Sequence, residues 1–258
     1  MTNAHAIKRI GFYDSGLGGL FVMRRVQKKF PNYDYVFLAD EKNLPYGDKS
    51  ISELLVFARA CVSYLLDIEK CDVVMIACNT LSSTVFATLE SEYRVSHPDV
   101  LLLDVISPTL DFLKEDTHFS IFGTPRTIES HVFTDGIIER FPSVRVDEYS
   151  MLELASMIER REDPTHSITA MSRQVFQEPH TLVLACTHYG IILDVFQKVF
   201  KKSYIVSQDT IVVDMLCFIL HSGGNAGSIV LYSTKENKVF NTYAHEWFPE
   251  IPVMQLDI

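Results

Sequence analysis

The sequence predicts an α/β protein of two similar open-sheet lobes with a cleft between them, and four observations carry the prediction. Two short stretches read almost alike, Ala77-Cys78-Asn79-Thr80 and Ala185-Cys186-Thr187-His188, each followed by a helix-compatible segment. The aliphatic runs before them, Asp72-Val73-Val74-Met75-Ile76 and Thr181-Leu182-Val183-Leu184, have the length and β-branched content of strands buried on both faces. The two cysteines lie 186 − 78 = 108 positions apart, about one domain length. Finally, Phe119-Ser120-Ile121-Phe122-Gly123-Thr124 echoes the opening strand and turn, with Thr124 standing roughly where Asp14 and Ser15 stand. A residue just beyond a strand of an open parallel sheet sits at its carboxyl edge, where such folds take their ligands, so each lobe offers one thiol to the cleft.

The elements follow in order. A first strand over 10–13 ends at Asp14-Ser15-Gly16-Leu17-Gly18-Gly19, small residues that let the backbone pass close to a ligand before a helix over 20–30. These glycines do not make a dinucleotide fingerprint, because Phe21 stands where the third glycine should allow close helix packing. Pro31-Asn32 turns the chain into a second strand over 33–38, followed by Asp40 and a loop over 41–49. Pro45-Tyr46-Gly47 in that loop is by default a plain turn, and becomes a site candidate because it too follows a strand's carboxyl end. Ser50 and Glu53 have capping-box spacing, and open a helix whose apolar stripe includes Leu54, Ala58, Cys61, Val62 and Leu65.

After Cys78 a helix is predicted over 81–93, broken at His97-Pro98, where the change of lobe is placed. A strand over 100–105 leads to Ser107-Pro108, with proline suited to a helix's first turn. The second lobe then runs through a helix over 125–140 stopped by Phe141-Pro142, a short strand over 144–146, and helices over 152–159 and 167–176 parted by Asp163-Pro164. Beyond Cys186 come a helix from Tyr189-Gly190 to about 201, a strand over 204–206 and a helix over 210–220. A turn at Ser222-Gly223-Gly224-Asn225, a last strand over 229–232 and a terminal helix over 243–248 return the chain to the first lobe. The predicted division is 1–97 with 207–258 for the first lobe and 98–206 for the second.

Composition narrows the function. The chain has 258 residues, 47% of them hydrophobic and 22% charged, enough for a real core. A net charge of −10 argues against a nucleic acid partner, which needs a basic stripe. The amino terminus carries no apolar signal core and no run approaches the ~18 apolar residues of a membrane span, so a soluble cytoplasmic protein is expected. Five cysteines, an odd number with no sign of an oxidising compartment, imply free thiols. Cys61, Cys71 and Cys217 show no polar setting and are assigned to the core. Cys186-Thr187-His188 is too tightly spaced for a metal site and has no second pair to complete one, so no metal is expected.

Two thiols facing one cleft permit a specific chemistry. Each precedes a helix, whose dipole favours the thiolate. One takes a proton from a substrate carbon while the other delivers a proton to the opposite face, inverting a stereocentre. Asn79, Thr80 and Thr187 offer amide and hydroxyl groups, and the backbone N–H groups at the helix starts suit a carboxylate and the negative charge that develops beside it. Asp14 can accept from a substrate ammonium or help deprotonate Cys78, and His188 can assist Cys186. Set against this, a single cysteine after an apolar strand is usually a small buried hydrophobe, a lone His188 a structural partner, and Asp14-Ser15 a helix cap. Two cysteines in matching polar settings tip the reading towards chemistry.

At these residues the sequence resembles the glutamate racemases of the wider aspartate and glutamate racemase group. The likeness rests on Ile10-Gly11 with Asp14-Ser15-Gly16-Leu17-Gly18-Gly19, on Leu44-Pro45-Tyr46-Gly47, on Ala77-Cys78-Asn79-Thr80 and on Cys186-Thr187-His188-Tyr189, in the family's order across most of the chain. The resemblance implies a cofactor-independent racemase of two α/β lobes related by a pseudo-twofold, the second inserted in the first. It implies Cys78 and Cys186 as the acid/base pair, with Asp14, Ser15, Tyr46, Gly47, Asn79, Thr80, Thr187 and His188 around an acidic amino acid; Pro45 and Thr124 join these candidates from their places at strand ends. It further implies D-glutamate made for bacterial peptidoglycan, and a homodimer. The chain departs from the family's pattern at Ala185, at Gly190-Ile191, at Leu81-Ser82-Ser83 and at Ser207-Gln208-Asp209-Thr210, and the family's second-lobe acidic residue falls on Glu153 or Glu159. The alternatives are a racemase of aspartate or another acidic amino acid, a relative that binds an anionic metabolite or a protein without catalysis, and a decarboxylase or isomerase of a dicarboxylate.

Overall fold

A computed structural model describes residues 7–221 and 225–258. Its strands, all in parallel pairs, are β1 (Arg9–Asp14), β2 (Asp34–Ala39), β3 (Val73–Ile76), β4 (Leu101–Asp104), β5 (His118–Gly123), β6 (Arg145–Ser150), β7 (Thr181–Ala185), β8 (Tyr204–Ser207), β9 (Ile229–Ser233) and β10 (Val253–Gln255). They form one sheet in the order β10-β9-β2-β1-β3-β4 and another in the order β6-β5-β7-β8. The first four strands of the chain and the next four therefore repeat one topology, and β9 and β10 extend the first sheet beyond β2. Gly123 pairs with Ala185, whereas Ala77 donates its N–H to the Tyr13 carbonyl at 2.8 Å. In this register Cys78 and Cys186 occupy equivalent positions, and Thr124 answers to Ser15.

Period-2 alternation decides what each sheet face buries. Ile10, Phe12, Phe119, Ile121 and Val183 point into one core shared by the two lobes, together with Leu20, Met23, Ile211 and Val212 of the helices Leu17–Lys29 and Gln208–Leu216. The alternate residues Tyr13, Val74 and Ile76 fill a core on the far side of the first sheet, and Phe122, Leu182 and Leu184 one on the far side of the second. Helix Ile51–Ser63 opens with the capping box that Ser50 and Glu53 predict.

Five expectations need correction, the first being the helix predicted over 81–93, which is two helices, Asn79–Thr84 and Phe86–Ser96, parted at Val85. The strand Leu101–Asp104, placed in the second lobe, pairs with β3 and forms the edge of the first sheet; His97-Pro98 is only the end of a crossover, and a β3-helix-β4 crossover places neighbours side by side. The helix predicted over 125–140 is two helices, Pro125–Glu129 and Val132–Arg140, parted by His131 at φ 52. The strand Val253–Gln255, only three residues long, is not among the elements the sequence predicts. Cys61 and Cys71 are buried, but Cys217 is exposed, because it caps helix Gln208–Leu216 just beyond the helix's last buried residue, Leu216. Of the predicted turn at Ser222-Gly223-Gly224-Asn225, residues 222–224 lie outside the described residues. Among the described residues no helix is long and apolar enough to cross a membrane.

Candidate active site

The carboxyl ends of β1, β3, β5 and β7 converge on one cavity of about 350 Å³. Asp14 and Ser15 enter from β1, Cys78, Asn79 and Thr80 from β3, Thr124 from β5, and Cys186, Thr187 and His188 from β7, with Pro45, Tyr46 and Gly47 contributed by the loop after β2. All twelve residues singled out from the sequence line this cavity. The sequence reading missed Leu44, Asp48, Pro125, Leu152, Ala155 and Ser156, and left Glu159 unresolved against Glu153. Glu159 lines the cavity and Glu153 is exposed outside it. The signal was present in the 3.6-residue period: Ala155, Ser156 and Glu159 share one face of helix Leu154–Glu159.

The two thiols sit in matched but chemically different surroundings, each 6% exposed. Cys78 Sγ lies 3.7 Å from Ser15 Oγ, which in turn donates to Asp14 Oδ1 at 3.3 Å. Burial, with the Asp14 charge beside it, pushes the Cys78 thiol up to about 12, and the hydrogen bond from the Leu81 N–H only softens this. The helix dipole expected to favour a thiolate there is thus outweighed. Cys186 Sγ lies 3.8 Å from His188 Nδ1, and His188 Nε2 meets Glu159 Oε1 at 2.8 Å. Burial works against a charged His188, but Cys186 and Glu159 outweigh it and hold the imidazole well above its ordinary value. Glu159 is correspondingly held below the usual carboxylate range: its bond and charge pairing with His188 overcome a burial cost that works the other way. The lobe with Cys78 therefore presents a neutral thiol, and the lobe with Cys186 presents a sulfur beside an imidazolium, the setting in which a cysteine serves as a base.

Asp14 spans the two halves. Its Oδ1 accepts from Gly16 N at 3.0 Å and its Oδ2 from Thr187 Oγ1 at 3.2 Å, so a first-lobe carboxylate holds a second-lobe turn. Burial raises Asp14 from the ordinary value, with His188 and these donors opposing. Across the mouth, Thr80 Oγ1 lies 3.5 Å from Thr124 Oγ1, and Arg126 donates to the Lys49 carbonyl at 3.1 Å. Asn79 is fixed by reciprocal amide bonds with Gln208 of 2.6 and 2.9 Å. The Tyr46 hydroxyl is committed away from the cavity, donating to Asp40 at 2.5 Å and lying 2.6 Å from the Tyr13 hydroxyl. The Tyr46 hydroxyl is therefore not available to a ligand in the cavity.

Gly18 makes this meeting of lobes sterically feasible. A Cβ there would overlap Thr187 Oγ1 and would lie 2.7 Å from His188 Nδ1 and 2.8 Å from His188 N. The small-residue turn predicted to admit a ligand thus admits the turn that carries His188.

Two parallel-sheet lobes of one strand order, each sending a cysteine from an equivalent strand end into a shared cleft, define a two-lobed α/β protein with a paired-thiol site. No family model matches the chain. A glutamate racemase of Lactobacillus helveticus is 34% identical over 191 residues, which take in 72% of this chain and 70% of that protein. In structure the chain resembles a glutamate racemase isoform of Bacillus anthracis, at 23% identity and a TM-score of 0.81 over 99% of each chain. It likewise resembles the glutamate racemase of Francisella tularensis in complex with D-glutamate, at 22% identity and a TM-score of 0.80 over 96% of this chain and 97% of that one. The chain belongs to the glutamate racemase family.

Proposed function

We propose that this protein interconverts L- and D-glutamate without a cofactor, Cys78 and Cys186 exchanging protons with opposite faces of the α carbon. The observation that carries the reading is the paired sulfurs at equivalent strand ends of the two sheets, bordering one cavity. Family membership supports glutamate as the substrate, as does the D-glutamate held by the Francisella tularensis relative.

The surroundings supply each step. In one direction the Cys186 thiolate, paired with the His188 imidazolium, takes the α proton, and the neutral Cys78 thiol gives its proton to the opposite face. The chain then holds a Cys186 thiol and a Cys78 thiolate, the starting state for the other enantiomer. Ser15 links Cys78 to Asp14, whose carboxylate accepts from the substrate ammonium. Thr80, Thr124 and the backbone N–H groups after each cysteine, those of Asn79 and Thr187, serve the two carboxylates, and they meet the negative charge that develops on the reacting carbon. Glu159 orients His188 and keeps its charge compensated. Cytoplasmic D-glutamate production for peptidoglycan, by a homodimer, completes the proposal as the family resemblance implies it.

The test is polarimetric. Purified protein given L-glutamate should lose optical rotation until the mixture is racemic, and should leave L-aspartate largely unchanged. Cys78→Ser and Cys186→Ser should each lower turnover by roughly 10²–10⁴-fold. Either variant keeping the unaltered chain's turnover sinks the two-thiol reading, and faster turnover of aspartate sinks the substrate assignment.

A further inference from the structure

Behind the catalytic His188–Glu159 pair lies a second carboxyl group that the reaction does not touch. Glu41, in the short turn Glu41–Asn43 after β2, is 5% exposed and outside the cavity that holds the thiols. Its Oε2 accepts from the Asn237 side-chain amide. A single point, the Cβ position of Gly16, lies 2.8 Å from Glu159 Oε1 and 3.4 Å from Glu41 Oε1, so the two oxygens are no farther apart than those distances laid end to end. No cation is paired with Glu41 among the described residues: Lys42 reaches instead to Asp257 at 3.0 Å.

We infer that Glu41 is a positioning residue that acts through Glu159 and His188, its neutral carboxyl form setting the charge under which the cleft takes an anionic substrate. The inference rests on the racemase reading above. A dicarboxylate already brings net negative charge, and the transition state adds more at the α carbon. A second ionised carboxyl behind Glu159 opposes both, so the neutral form of Glu41 is the active one.

The groups facing Glu41 determine when it ionises. On the cleft side these are Asp14, Glu159 and His188, the first two opposing its charge and the third favouring it. From its own turn come Asp40 and Lys42, and from the carboxyl-terminal segment Lys235, Glu236 and Lys238 beside Asn237. Burial dominates, the Asn237 amide pulls the other way, and Glu41 is pushed up to about 7. Glu41 therefore changes charge within the range where the enzyme is assayed.

The experiment compares kcat/KM for glutamate from pH 6 to pH 9 in the unaltered chain, Glu41→Gln and Asn237→Asp. Glutamine keeps the shape and cannot ionise; aspartate keeps the helix-capping oxygen at 237 and removes the amide donor. Ionisations common to all three proteins cancel in ratios. The ratio of Glu41→Gln to the unaltered chain should be near one at pH 6 and climb to roughly three- to tenfold by pH 9, turning near neutrality. Asn237→Asp should move that turning point to higher pH. A ratio independent of pH, as a purely structural loss would give, overturns the inference. If Glu41→Gln does not fold, an unshifted pH profile in Asn237→Asp does the same. Absence of racemisation in the unaltered chain at every pH would instead sink the reading on which the inference rests.

Discussion

Gly18→Ala should disable the site through one methyl group placed outside it. The new Cβ would sit 2.8 Å from His188 N, a backbone atom with no rotamer to change, and would overlap Thr187 Oγ1, which is held by its bond to Asp14. Relief to an ordinary 3.4 Å contact needs a retreat of about 0.6 Å (3.4 − 2.8) by the turn that carries His188. Overpacking of this kind costs roughly 1–3 kcal/mol. The gain from replacing glycine by alanine within helix Leu17–Lys29 returns roughly 0.5–1 kcal/mol. The net loss, about 0–2.5 kcal/mol, corresponds to a fall in Tm of no more than roughly 10 °C for a chain of this size. Activity should suffer more than stability, since a shift of about 1 Å at a catalytic group costs on the order of 100-fold. Thermal melts together with glutamate polarimetry decide the matter: near-native folding with kcat/KM reduced at least tenfold is expected. Unchanged kcat/KM would refute the claim that this contact fixes the Cys186 arm.

Two further outcomes follow from the thiols and from a histidine pair in the second lobe. Cys217 is the exposed thiol among the five cysteines, so a limiting dose of iodoacetamide should label it first with little loss of activity. In a Cys217→Ser background, inactivation should track modification of Cys78 or Cys186 and be slowed by glutamate; loss of activity through Cys61 or Cys71 would contradict the site. His118 stacks on His180 with ring centroids 4.6 Å apart and meets Asp147 at 2.9 Å. Burial and His180 lower its pKa, while Asp147 opposes them. The unfolded chain therefore binds more protons in the window below about 6.5, and His118 costs stability as pH falls through that window. Tm should drop less between pH 7.5 and pH 5 in His118→Gln than in the unaltered chain, and an equal drop in both would dismiss the effect.

The site was legible in the sequence wherever chemistry coincided with a strand end. Val73–Ile76 and Thr181–Ala185 are short, apolar and β-branched, and a cysteine followed by polar residues breaks each pattern at the point where a parallel sheet opens to a ligand. Where the pattern was silent, long-range pairing decided. Leu101–Asp104 reads the same whether it edges the first sheet or starts the second, and only its bonds to β3 settle the matter. Glu41 looks in sequence like any surface glutamate, and Glu159 could not be told from Glu153 until the helix that carries it was placed. Glu159 lines the cavity and meets His188 at 2.8 Å, and the turn after β2 brings Glu41 close to it outside the cavity, from the opposite lobe. The Tyr46 hydroxyl, an obvious candidate for a ligand contact, is turned away by the Asp40 carboxylate, which no local spacing reveals.

Whether two sulfurs serve opposite faces of one carbon is decided by the fate of the α hydrogen in deuterated water. With either enantiomer of glutamate, the first product formed should carry deuterium at the α carbon while the unreacted substrate keeps its hydrogen. Product that retains the original hydrogen, or substrate and product labelled alike from the outset, would mean that a single group both removes and returns the proton, and would contradict the account.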